Sequence, residues 1–183
     1  MFWVLNDQPL IRDEHLLHDW KQLLFTVIIP LVLVLIFAAL IGLERQNVGK
    51  AAGLSAHILV GLSSAGIAIM QAMMYWQAGG TNNPDAEGQR VIAQVVTGVG
   101  FIGAGVIIKD PKNMVRGITT ASTIWSVAMI GLILGSGRLV LGVILALTII
   151  SFMYIRDLKR GINPFKKLPS DHDQLGENTH DIH

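Results

Sequence analysis

The sequence predicts an all-α integral membrane protein of five transmembrane helices, and three observations carry that prediction. The first is composition: hydrophobic residues make up 51% of the 183 and charged residues only 15%, where a soluble domain carries about 25% charged residues. The second is patterning. Long uncharged apolar runs alternate with short charged joints, and each run is of the length needed to cross roughly 30 Å of hydrocarbon. The third is periodicity: the runs are continuously apolar, which suits helices, and do not alternate as barrel strands do. Together these exclude a disordered chain, a nucleic-acid binder and an ordinary soluble enzyme. A net charge of +1 names no partner, and the absence of cysteine excludes disulfides, cysteine–zinc sites and thiol catalysis.

The expected spans are Leu23–Leu43, Ile58–Tyr75, Val91–Ile108, Gly117–Gly137 and Leu139–Ile155. They divide the chain into an external segment 1–22, a membrane domain 23–155 and a polar cytoplasmic tail 156–183 that is expected to be disordered. Pro30 inside the first run is expected to kink the helix, with neighbouring helices meeting the freed carbonyl. Ser136–Arg138 reads as a tight hairpin and Lys109–Arg116 as a basic loop. Gln77–Gln89 is a longer turn-rich loop. Residues 1–22 lack the pattern of a signal peptide, and His15, Leu16, Leu17, Trp20 and Lys21 suit a stretch along the interface.

Orientation follows from the basic residues. Of the 14 Lys and Arg, four (Arg12, Lys21, Arg90 and Arg138) fall on the amino-terminal side and ten on the other. The amino terminus is therefore expected outside and the carboxyl terminus in the cytoplasm.

Polar residues at membrane depth are costly and point to function or to buried partners. Arg90, Gln94 and Thr97 share one face of the third span, either as a functional stripe or as an interfacial arginine with an inter-helix hydrogen bond. Glu44 and Arg45 close the first span, His57 opens the second, and Thr119, Thr120 and Thr123 open the fourth. Two helix amino termini on this side favour an anion, which Glu44 can supply. Glu44 is also the one metal candidate, although magnesium prefers octahedral oxygen coordination. It is expected to matter more than Asp85 and Glu87 of the outer loop. His57 reads either as a packed, hydrogen-bonded residue or as a proton or metal site. His172, His180 and His183 lie in the polar tail, where a weak metal tract is the alternative to plain disorder.

Gly98, Gly100, Gly103 and Gly105 spell G-x-G-x-x-G, but inside an apolar run with no strand before it and no acidic residue about 20 positions on. A dinucleotide site is rejected on that context. Close helix packing is the preferred reading and a softened helix lining a cavity the second.

These pieces in this order resemble the MgtC/SapB membrane family. The resemblance rests on Ile41-Gly42-Leu43-Glu44-Arg45-Gln46, on Ala52-Gly53-Leu54 with His57-Ile58-Leu59-Val60-Gly61-Leu62, and on the run from Arg90 to Ile107. Val115-Arg116-Gly117-Ile118-Thr119-Thr120-Ala121-Ser122, with Trp125 and Gly131, completes it. It implies a bacterial inner-membrane protein of magnesium homeostasis, linked to low-magnesium or acid-stress adaptation and, in the best-known members, to virulence. It also implies action through membrane partners, with the F-type ATP synthase as the one partner it suggests. Two departures stand out. Ser55 and Ala56 occupy positions where the family usually has Arg and Thr, and the segment after Ile155 is too short for the cytoplasmic domain of the classical virulence member.

The expected function is a regulator embedded in lipid, with a magnesium or other cation transporter or channel as the alternative. Glu44, Arg45, His57, Arg90, Gln94, Arg116, Thr119 and Thr120 are the candidate functional residues. No enzymatic activity, nucleic-acid partner or cofactor is expected, Mg2+ being the one ion left open, and a homo-oligomer fits the small-residue faces.

Overall fold

The computed structural model describes residues 20–77, 86–109, 111 and 113–161. Five helices in it are long and apolar enough to cross a membrane. They are α1 (Trp20–Asn47), α2 (Leu54–Gln77), α3 (Ala86–Val106), α4 (Ile118–Gly135) and α5 (Leu139–Lys159). The expectations about His15–Leu17, the centre of the outer loop and the histidines of the tail lie outside the described residues.

Helix α1 begins before Leu23 and carries a π-helical stretch, Leu24–Ile28, immediately ahead of Pro30. Proline lacks an N–H, and its ring collides with the carbonyl four residues back. Widening the turn before it relieves that collision, and here the Ile29 N–H reaches back to the Leu24 carbonyl. Where a kink was expected at Pro30, the structure has a local π-turn just ahead of it. Helix α5 corrects a second expectation: it continues through Arg156 and Asp157 to Lys159, so the polar tail starts later than residue 156. The basic loop after α3 is flanked by two short paired strands. Ile108–Lys109 (β1) pairs antiparallel with Val115–Arg116 (β2). Gly117 then turns the chain into α4 at φ +90°, where an added Cβ would lie 2.1 Å from the Val106 carbonyl oxygen.

Helix α4 is the hub of the bundle and packs against each of the other four spans. More of its apolar window is buried than in any other span, 56% against 28% or less. Its residues Val127, Ile130 and Leu134 join Val34, Phe37, Ala38 and Ile41 of α1, Ala65 of α2 and Ala146 and Met153 of α5 in the main core. A smaller core joins Val99 of α3 to Ile124 and Ala128 of α4. Lipid is as apolar as leucine, so burial alone does not drive spans together; close van der Waals fit does. That fit is tightest where α2 crosses α4. A Cβ on Gly131 would lie 2.4 Å from the Gly61 carbonyl oxygen, and one on Gly135 would lie 2.4 Å from that of Ala65.

The glycine packing expected of the third span is therefore displaced to α2 and α4. Around Gly98, Gly100 and Gly105 nothing lies within 4 Å of an added Cβ, and Gly103 makes only ordinary contact with Ala121. Gly100 and Gly103 line a shallow groove against Ala121 and Trp125 of α4. Within one chain, three of these four glycines are not packing residues.

Candidate functional site

The buried face of α1 recurs through Val34, Phe37, Ala38 and Ile41, and the same helical period carries Glu44 and Arg45 into the interior. On α5 the buried positions Gly142, Ala146 and Met153 extrapolate to Asp157 in the same way. The two helices bring these ends together. Arg45 donates from Nε and Nη2 to the two carboxylate oxygens of Glu44. Arg156 donates from Nε to Asp157 Oδ1 at 2.8 Å. Cross-links complete the quartet: Arg156 Nη2 lies 3.6 Å from Glu44 Oε1, and Arg45 Nη2 lies 3.5 Å from Asp157 Oδ2. The side chains of Glu44, Arg45 and Asp157 are at most 2% exposed, and that of Arg156 is 17% exposed. Among the described residues, Asp157 Oδ2 has no hydrogen-bond partner.

Two carboxylates thus face two guanidiniums in a buried site. Such a set is costly to form but far more costly to break, because removing one member leaves a buried charge uncompensated. Glu44 is paired with arginines, a partner set that neither of the two sequence alternatives, the helix amino termini or a small cation, had named.

His57 sits beside this quartet. Gly42 of α1 lets the start of α2 come close, since a Cβ there would lie 2.7 Å from Leu54 Cα and 3.2 Å from His57 Cβ. Gln46 Oε1 accepts the Leu54 N–H at 3.3 Å, which caps α2. His57 is fully buried. Its Nδ1 donates to the Gly53 carbonyl at 2.7 Å, and Nε2 lies 3.0 Å from Thr123 Oγ1. The Thr123 hydroxyl is also 2.9 Å from the Thr120 carbonyl. A hydroxyl has one proton, so Thr123 gives it either to Thr120 or to Nε2. The ring is neutral in the second case and carries a proton on both nitrogens in the first. Both states keep the Nδ1 bond.

Of the residues singled out in the sequence, Glu44, Arg45, His57 and Thr120 are buried at this end of the bundle. Arg116 and Thr119 are exposed there, and Arg90 and Gln94 are exposed on α3, away from the quartet. Arg156 and Asp157 were missed because they follow the last apolar run. The signal that reveals Asp157 is the helical period of Gly142, Ala146 and Met153 on α5.

The fold and site define a multi-pass α-helical membrane protein whose first and last spans are joined by a buried ionic lock. The family model described as the MgtC family matches residues 31–160. That range holds all four members of the lock and His57, and the chain belongs to the MgtC family. It is 45% identical over 116 residues to the "Putative magnesium transporter YhiD" of Escherichia coli (strain K12), covering 63% of this chain and 54% of the relative. It is 41% identical over 118 residues to Protein MgtC of Salmonella typhimurium (strain LT2), covering 64% and 47%. Protein MgtC of Brucella abortus (strain 2308) is 36% identical over 118 residues, covering 64% and 45%. The chain spans about half the length of the curated relatives it matches. No solved structure matches it.

Proposed function

We propose that this chain serves magnesium homeostasis in the bacterial inner membrane, as a regulator that acts through contacts with other membrane proteins. The observation that carries the reading is the charge balance of the lock. Each carboxylate already faces a guanidinium, so a divalent cation entering the site has to displace an arginine and leave it unmatched in a buried setting. That chemistry favours a device that holds two helix ends together over one that loads and releases ions. The F-type ATP synthase, which the family resemblance suggests, is the first partner to try. The competing reading, transport, draws on the name of the YhiD relative and on Asp157 Oδ2, which has an ion-pair contact to Arg45 but no hydrogen bond among the described residues.

Purified protein in liposomes separates the two readings. The regulator reading expects no Mg2+ flux above that of empty liposomes, together with a membrane protein that co-purifies from native membranes. Flux that disappears with Glu44→Gln establishes the transporter instead.

The same reading places the lock at the cytoplasmic face. Because the chain has no native cysteine, single-cysteine labelling tests this directly. Asn83→Cys is expected to react with an impermeant thiol reagent from outside intact cells, and Asn113→Cys and Lys166→Cys only after permeabilisation. The opposite pattern inverts the orientation derived from the basic residues.

A further inference from the structure

The five spans are unequally covered. Only 11% of the apolar window of α3 is buried, against 56% for α4, and α3 is also the least apolar of the five. Lipid accepts apolar surface and rejects unpaired polar groups, so a span of this composition at the edge of a bundle needs a reason. Its polar residues lie on the uncovered side. At 3.6 residues per turn, Arg90, Gln94, Thr97, Gly98, Phe101 and Gly105 share one face, and all six are exposed. The buried Val99 and Gly103 lie opposite. The Thr97 hydroxyl donates to the Ala93 carbonyl at 2.9 Å, and Arg90 is engaged within its own chain. Gln94 differs: its carboxamide has no hydrogen bond to any described residue. Thr97 is the middle residue of the span Gly88–Val106, so Gln94 lies only about 4.5 Å from the span's centre at 1.5 Å per residue.

We infer that this face of α3 binds a second copy of the chain. All copies insert in one orientation, so two of them are related by a twofold axis along the membrane normal. Near such an axis a residue meets its own counterpart at the same depth, and the face must be complementary to itself. A carboxamide meets that condition, because each Gln94 gives one N–H to the other and takes one in return. No acidic or basic residue lies on the face between Gln94 and Gly105, so the pairing brings no like charges together at depth. Shape agrees with chemistry. Phe101 is 83% exposed and stands between Gly98 and Gly105, both open to 4 Å, so each ring has a gap beside it on the facing helix. The four–three–four spacing of positions 94, 98, 101 and 105 is that of a seam between two parallel helices.

Cysteine crosslinking in native membranes tests this. Phe101→Cys, with a membrane-permeant oxidant, is expected to give a disulfide-linked dimer of twice the chain mass. Leu147→Cys, exposed on α5, is expected to give at least five-fold less. Adding Gln94→Leu to Phe101→Cys should lower the crosslinked fraction several-fold, and Gln94→Asn should retain most of it. Equal crosslinking at positions 101 and 147, no crosslink from position 101, a product containing a different protein, or indifference to Gln94→Leu overturns the inference.

Discussion

Gly135→Ala is expected to cause a large loss of stability, although it adds one methyl group. Its Cβ would meet three backbone atoms of Ala65, the nearest at 2.4 Å and the others at 2.9 and 3.0 Å. A side-chain neighbour could rotate away, but a backbone cannot, so α2 and α4 must separate. Overpacking typically costs about 1–3 kcal/mol and occasionally more, and a clash with backbone at the hub helix belongs at the upper end. Gly100→Ala is the control, since nothing lies within 4 Å of its added methyl. Thermal unfolding in detergent should place Gly135→Ala well below the parent and Gly100→Ala beside it. Equal midpoints for the two variants would show that α2 and α4 do not cross as described.

The second large effect belongs to the ionic lock. Arg45→Met leaves Glu44 and Asp157 with only Arg156 between them, a buried site with one uncompensated negative charge. Breaking a buried pair in this way costs about 3–5 kcal/mol, whereas replacing both partners by apolar residues of similar volume is often neutral. The double variant Glu44→Met/Arg45→Met should therefore recover most of the stability that Arg45→Met loses, because Arg156 and Asp157 remain hydrogen-bonded to each other. Protein abundance and thermal midpoint read the first effect, and growth in low magnesium reads the second. A lock predicts that growth returns with the double variant. An ion site that needs the Glu44 carboxylate predicts that growth stays lost while stability recovers. A double variant as unstable as the single one would refute the balanced quartet itself.

The contrast between the two families of glycines shows where local sequence ends. Gly98, Gly100, Gly103 and Gly105 form the denser cluster, yet Gly131 and Gly135 make the close approach. A small residue states only that a neighbour is permitted, and which helix comes to that face depends on how all five spans share the available surface. Asp157 teaches the same lesson. It lies beyond the last apolar run and looks like the start of a polar tail, but the turn it occupies is the continuation of a buried stripe.

What the sequence determined by itself was the number of spans and the polar residues worth watching. Both follow from one local rule, that a segment in lipid must be apolar and satisfy its own backbone, so any Glu, Arg or His near it is costly enough to notice. Glu44, Arg45 and His57 were legible for that reason. The packing of the helices sets what those residues meet: Arg45 and Arg156 for Glu44, Gly53 and Thr123 for His57, and no hydrogen-bond partner among the described residues for Gln94. The pairings of Glu44 with Arg156 and of His57 with Thr123 join spans far apart in the chain. They depend on the crossing of α2 with α4 and of α1 with α5, which no stretch of sequence contains.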